Sequence, residues 1–254
     1  MENASIENAM TFGAQAQIYA SSRPHYPSEL YDWIAEQAPA TDKVWDVGTG
    51  SGQAALSLAE KFSQVHATDI DNEQIAHAAE HPRIHYGQAP AHSSGLPPNS
   101  VDAVTVATAL HWFDHKLFWE EIRRVAKPNA LFCGWTYHRC YTDPDVHEQL
   151  IEPVLEIIEP YWAEGNRLSW RGYFPDELGM PFEVIDMPEF ECHLQWTPAQ
   201  IAALVTSWSA HKKARLDGHE DRLSKIETTA LQSLGAHPRS FVLPLNTIAA
   251  KLRF

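Results

Sequence analysis

The chain has 254 residues, enough for one large α/β domain or a domain carrying an insertion, and its 44% hydrophobic content with nine tryptophans can fill a real core. Acidic residues outnumber basic ones by 33 to 19, a net charge of −14, which argues against a groove that tracks nucleic-acid phosphates. The 14 histidines include no H-E-x-x-H, and the three cysteines (Cys133, Cys140 and Cys192) no C-x-x-C, so no metal site is expected.

An odd cysteine count without a framework favours a reducing, cytoplasmic setting. The first residues, Met1-Glu2-Asn3-Ala4-Ser5, lack a basic and then apolar signal pattern, and no stretch approaches a membrane span. The expected partner is therefore neither nucleic acid nor membrane. Oligomeric state is left open.

In chain order, the first clear element is a helix capped by Ser28, with Leu30, Trp33 and Ile34 on one side. Lys43–Val47 is a short strand that breaks into Gly48-Thr49-Gly50-Ser51-Gly52. Glycines at every second position permit positive φ and a close ligand approach. A helix from Gln53 to about Phe62 follows, with Ala55, Leu58 and Phe62 inward. Its start offers free N–H groups and the positive end of a dipole. The G-x-G-x-G spacing differs from the G-x-G-x-x-G dinucleotide fingerprint, and Asp46 two residues before the first glycine suits a cationic amine better than a phosphate.

Val65–Thr68 is a second strand ending at Asp69, at the distance from the glycine turn expected of a ribose-binding acid. Asp71 is assigned to capping a helix from Asn72 to about Glu80, before His81-Pro82 stops it. Ile84–Tyr86 is a brief third strand and Val101–Ala109 a fourth, apolar enough to be buried on both faces. Leu117–Val125 reads as a helix and Ala130–Tyr137 as a fifth strand. This alternation implies a doubly wound parallel sheet.

Beyond it, Asp143-Pro144 opens a helix with Val146, Leu150, Val154, Ile158 and Trp162 in one stripe, kinked or divided at Pro153. Phe182–Trp196 reads as strand six with an extension. Helices follow near 198–208 and 214–234, then Arg239–Leu245 as part of an antiparallel strand seven.

The strand, acid and glycine turn resemble motif I of class I S-adenosylmethionine (SAM) methyltransferases. Gly87-Gln88-Ala89-Pro90 is similar to that group's G-x-A-E loop beside the adenine, with Pro90 replacing the acid. Ala109-Leu110-His111-Trp112-Phe113-Asp114 matches its strand-four loop, and Lys127-Pro128-Asn129-Ala130 its K-P-G-G turn with Asn-Ala in place of the glycines. Phe12-Gly13-Ala14, Tyr19 and Arg23-Pro24-His25-Tyr26-Pro27, with the helix F-W-E-E-I-R-R-V, look like the trans-aconitate methyltransferase-like (methyltransferase type 11) group. The match runs over residues 12–137.

The resemblance implies a Rossmann-like, doubly wound, seven-stranded α/β sheet with an N-terminal helical lid and a helical insertion after strand five. It divides the single domain into a lid at 1–37, a SAM-binding core at 38–140, an insertion at 141–181 and completion of the sheet at 182–254. The cofactor is SAM and its product S-adenosylhomocysteine (SAH). Asp46, Gly48, Thr49, Gly50, Gly52 and Gln53 would form the turn around it. Asp69 and Ile70, the Ala89 N–H, Ala109 and Tyr19 would complete the cofactor contacts. Tyr26, Trp135 and Arg139 would line the acceptor entrance, with Arg23 orienting a carboxylate acceptor. Trp112 would wall off water. His111 is either a general base for a hydroxyl or amine or a donor that fixes the loop. The implied reaction is methyl transfer to a small molecule, with a carboxylic acid as one candidate. A non-catalytic SAM- or SAH-binding module serving a protein partner and a nicotinamide-dependent oxidoreductase are the alternatives.

Overall fold

The computed structural model describes residues 24–253. The sequence-expected Tyr19 and Arg23, and residues 1–23 of the lid, lie outside that range. The first described helix, α1 (Ser28–Gln37), starts one residue earlier than a Ser28 cap would give: Pro27 holds the cap position and the Ser28 hydroxyl bonds Glu29 instead. Leu30, Tyr31 and Ile34 form its buried face.

Strands β1 (Lys43–Val47), β2 (Gln64–Asp69), β3 (Ile84–Gln88), β4 (Val101–Ala107) and β5 (Ala126–Tyr137) pair in parallel. Helices α2 (Gln53–Lys61), α3 (Asn72–Ala76) and α4 (His115–Val125) connect them. Helix α3 stops well short of Glu80, because the His77 N–H turns back to Gln74 and Ile75. Strand β4 ends at Ala107 rather than Ala109, where Thr108 takes φ 55°. Strand β5 starts earlier than expected, through a bulge at Asn129 whose φ of 64° is the left-handed conformation Asn tolerates.

Side chains alternate across the sheet and so build two cores. Val44, Val65 and Leu131 face α1 and α2 with Leu30, Ile34, Leu58 and Phe62. Trp45, Val104 and Phe132 face α4 with Phe118, Trp119 and Ile122. The sheet is therefore covered on both faces, as its near-continuous apolar strands require.

The chain then passes through β6 (Tyr141–Thr142), the short helix α5 (Pro144–Val146), a wide turn at His147–Ile151, α6 (Glu152–Ile158) and α7 (Glu164–Arg171). The wide turn, in which the Glu152 N–H reaches His147 O, comes just before Pro153 and accommodates the missing N–H without breaking the run. Val146, Leu150, Val154 and Ile158 are all fully buried, as their spacing predicts, whereas Trp162, the last residue of the expected stripe, falls past the end of α6 and is half-buried.

Strand six is not one element: β7 (Glu183–Val184) and β8 (Glu191–Trp196) are separate, with Pro188 between them. Helices α8 (Pro198–Ser207) and α9 (Ser209–Ala214) follow, and α10 (Glu220–Leu234) begins later than the expected 214 because Gly218, at φ 95°, interrupts the run.

The last strand, β9 (Arg239–Leu252), outruns its expected end. Its second half pairs antiparallel with β5 and β7, giving the seven-stranded run β3-β2-β1-β4-β5-β9-β7 of a sheet that has nine strands in all; its first half pairs with β6 and β8. Pro244 lies near the change of partners, where its carbonyl accepts from His138 N–H and no donor is missed on that side.

Candidate functional site

The C-terminal ends of β1, β2 and β4 meet at the glycine turn, where a doubly wound sheet offers its crevice. Gly48, Gly50 and Gly52 have φ of 66°, 56° and 81°. Two of them are required by packing. A Cβ on Gly48 would lie 2.6 Å from that of Ala109, and one on Gly52 would overlap the Tyr86 hydroxyl. Gly50 differs: the nearest atom to a built Cβ is Gln74 Oε1 at 3.8 Å, so its face is open. The Thr49 N–H bonds Thr68 O at 3.0 Å and fixes the turn on β2.

Asp46 is fully buried beneath this turn. Its two carboxylate oxygens accept from Thr49 Oγ1 at 2.6 Å and from Thr105 Oγ1 at 2.9 Å. Burial pushes its pKa up to about 6, against the pull of those two hydroxyls. Each oxygen thus already has a protein partner, and the carboxylate is held in one orientation.

Asp69, at the tip of β2, accepts from Gly50 N–H at 2.7 Å and from Asp71 N–H at 2.9 Å. Burial raises its pKa too, with those backbone bonds opposing. Its neighbour Ile70 is partly exposed, and its carbonyl accepts from Gln88 Nε2.

Three of the expected site residues are engaged within the fold. The Ala89 N–H is bonded to Asp69 O at 2.9 Å, one rung beyond the β2–β3 ladder, and so is not offered to a base edge. The Gln53 amide donates to Pro24 O at 2.6 Å, which ties the segment before α1 to the glycine turn. Trp135 is fully buried and packs edge-on against Tyr26 and Tyr31, behind any entrance rather than in it. Arg139 lies beyond β5, exposed and without an ion pair among the described residues.

Around the open face of Gly50 the structure also gathers groups that sequence reading passed over. Asp71 caps α3 with Oδ1, as expected, but its Oδ2 is buried without a partner, and so are Gln74 Oε1 and the Tyr86 hydroxyl. Burial, with the nearby Asp46 charge, pushes the Tyr86 phenol up to about 12. Native interiors pair such atoms, so orphans at one turn point to a polar ligand. Gln74 and Tyr86 carried no motif; the only signal was a polar tip on a strand and a helix that flank the glycines.

Comparison with known proteins agrees with this geometry. Residues 45–134 match the family model described as a methyltransferase domain. A Dictyostelium discoideum protein named as a methyltransferase is 29% identical over 229 residues, covering 87% of this chain and 85% of that one. An uncharacterized methyltransferase of Mycobacterium tuberculosis is also 29% identical, over 96% of this chain and 95% of its own. A protein of Anaeromyxobacter dehalogenans, solved under the name of a type II methyltransferase, is 36% identical with a TM-score of 0.83, over 91% of this chain and 99% of that one.

The chain belongs to the class I SAM-dependent methyltransferases.

In this methyltransferase the loop after β4 is held from three sides. Thr108, a β-branched residue in the left-handed region, is a strained position. Its hydroxyl meets Tyr26 OH at 3.1 Å and its N–H bonds Trp135 O. Tyr26 in turn stacks on Tyr137 at 5.3 Å. His111 is buried, with Nδ1 2.9 Å from Tyr173 OH and its ring between Trp112 and Tyr173. Burial raises the Tyr173 phenol far above its usual range, so it is a hydroxyl at any working pH. Trp112 is partly exposed at the front of the loop. No described helix of the methyltransferase is long and apolar enough to cross a membrane.

Proposed function

We propose that the methyltransferase holds SAM on the open face of Gly50 and transfers its methyl group to a small molecule. The observation that carries this reading is the set of buried, unpartnered oxygens of Asp71, Gln74 and Tyr86 around a glycine turn that leaves room for a ligand. Asp69, already oriented by two N–H groups, keeps lone pairs for the ribose hydroxyls. Asp46 supplies negative charge to the methionine ammonium, and Gly48, Thr49 and Gly52 shape the turn. Ile70 and Ala109 flank the cofactor with apolar surface.

Bound SAM supplies an activated methyl on a sulfonium with a neutral thioether as leaving group. The chain's own task is to align the acceptor and keep water out. Trp112 and Tyr26 exclude water at the mouth, and a sulfonium gains from an aromatic face. His111, pinned to Tyr173, is a positioning residue for the loop. Its buried, paired ring supports that role over a general base.

The narrower placement in the trans-aconitate methyltransferase-like group is part of the proposal, supported by the R-P-H-Y-P arm and the H-W-F loop. A carboxylic acid is then the first acceptor class to try, oriented by Arg23 or by Arg139. Such an acceptor needs no base, only a cation. The test is transfer of labelled methyl from SAM to a panel of small carboxylic acids, phenols and amines. Label appearing on none of them, with SAM bound, would reject the small-molecule reading in favour of a SAM-binding module for a protein partner.

A further inference from the structure

Helix α7 lies against the loop after β4. A Cβ on Gly165 would fall 3.0 Å from the Trp112 ring and 3.1 Å from His111 O, so the glycine allows the close approach. Asn166 follows directly, and Trp170 one turn later. Trp162, just ahead of the helix, folds its ring back to meet Trp170 edge-on at 4.3 Å and Trp208 at 5.7 Å. Asn166 therefore follows the glycine that touches the Trp112 loop and stands one turn before a tryptophan that Trp162 meets.

Two polar atoms of this segment, Trp162 Nε1 and Asn166 Oδ1, are buried with no partner. An indole N–H only donates and an amide oxygen accepts. Burying both unpaired is unfavourable, and a donor and an acceptor left unmet four residues apart at the start of one helix can be answered by a single ligand group that both accepts and donates. The cations of α7 are already engaged, Arg167 with Glu159 and Arg171 with Glu177.

We propose that Trp162, Asn166 and Trp170 recognise the far end of the methyl acceptor, a flat conjugated ring carrying an uncharged hydroxyl. The hydroxyl accepts from Trp162 Nε1–H and donates to Asn166 Oδ1, which a carboxylate, having no proton to give, cannot do. The indole faces take the ring. The reacting end of the acceptor then points toward Trp112 and His111, and the three residues set specificity rather than chemistry. This inference deepens the small-molecule reading and rests on it.

The test compares 4-hydroxycinnamic acid with cinnamic acid, binding to the full chain saturated with SAH, followed by calorimetry. The expected result is about tenfold tighter binding of the hydroxylated probe, the scale of one or two well-made hydrogen bonds. Trp162→Phe keeps a ring and removes the donor, and Asn166→Leu removes the acceptor. Each should abolish the preference while leaving SAH affinity unchanged. Equal binding of the two probes, or a preference that survives both substitutions, overturns the inference. So does methylation confined to aliphatic acids, which leaves the small-molecule reading standing. Failure of every small molecule to bind or to be methylated overturns that reading and the inference with it.

Discussion

Asp46→Asn separates the two demands made on the glycine turn, because it should make the ligand-free protein more stable and the cofactor bind more weakly. Asp46 is fully buried, and its pKa is raised from 3.8 to about 6. The raised value means that the folded state holds the proton more tightly than the unfolded chain. Wild-type stability should therefore fall as pH rises from about 4 through about 6 and level off above. At roughly 1.4 kcal/mol per pKa unit, the cost at pH 8 is about 3 kcal/mol. The bonds from Thr49 and Thr105 are already inside that figure, since they act against the shift. Asn is nearly isosteric with the protonated acid, and both threonine hydroxyls can rotate to meet its amide. Urea unfolding at pH 8 should then show the variant more stable by up to about 3 kcal/mol, with the difference shrinking toward zero near pH 4. SAM affinity at pH 8 should drop about tenfold or more with loss of the charge facing the ammonium. A variant less stable than wild type at pH 8, or one that binds SAM unchanged, would refute the reasoning.

Other substitutions probe separate parts of the site. Tyr86→Phe removes a buried hydroxyl that has no partner in the ligand-free protein, so thermal unfolding should show stability unchanged or raised by about 1 kcal/mol. SAM affinity should fall about tenfold in the same variant; lost stability with unchanged affinity would mean that the hydroxyl has a structural role instead. His111→Ala should lower kcat by breaking the contact with Tyr173, and His111→Gln should restore much of it with the pH profile unmoved. Equal inactivity of both variants, with the acid limb of the profile gone, would make His111 the base.

Much of the sheet was legible because its signals are local. Lys43–Val47 and Val101–Ala107 are apolar strands bounded by turns, and both run close to where the pattern puts them. The stripe Val146, Leu150, Val154 and Ile158 gave the helical insertion and its buried face. The breaks were harder. Strand six divides and β9 continues through Pro244 because pairing partners, not propensity, decide how far a strand runs. The early stop of α3 and the late start of α10 turn on backbone bonds and one glycine conformation that no periodicity encodes.

In the site, motifs led to Asp46, Asp69 and the glycines, whose spacing is set by chain geometry. For Ala89, Gln53 and Trp135 the fold supplies an intramolecular partner or a packing neighbour that the sequence does not show. Gln74 and Tyr86 were missed because only the folded chain brings their unpaired atoms to the turn. The same holds for Trp162 and Asn166, where the stripe is visible in sequence but its unmet hydrogen bonds are not.

The most direct test of the account is calorimetric titration of SAM, SAH and NADH into the wild-type chain and into Asp69→Ala. The account predicts micromolar SAM and SAH binding to wild type, no NADH binding, and a loss of about tenfold or more in SAM affinity in the variant, which lacks the carboxylate held by Gly50 N–H. A folded wild-type protein that binds no SAM, or a variant that binds it equally well, would contradict the assignment of the site.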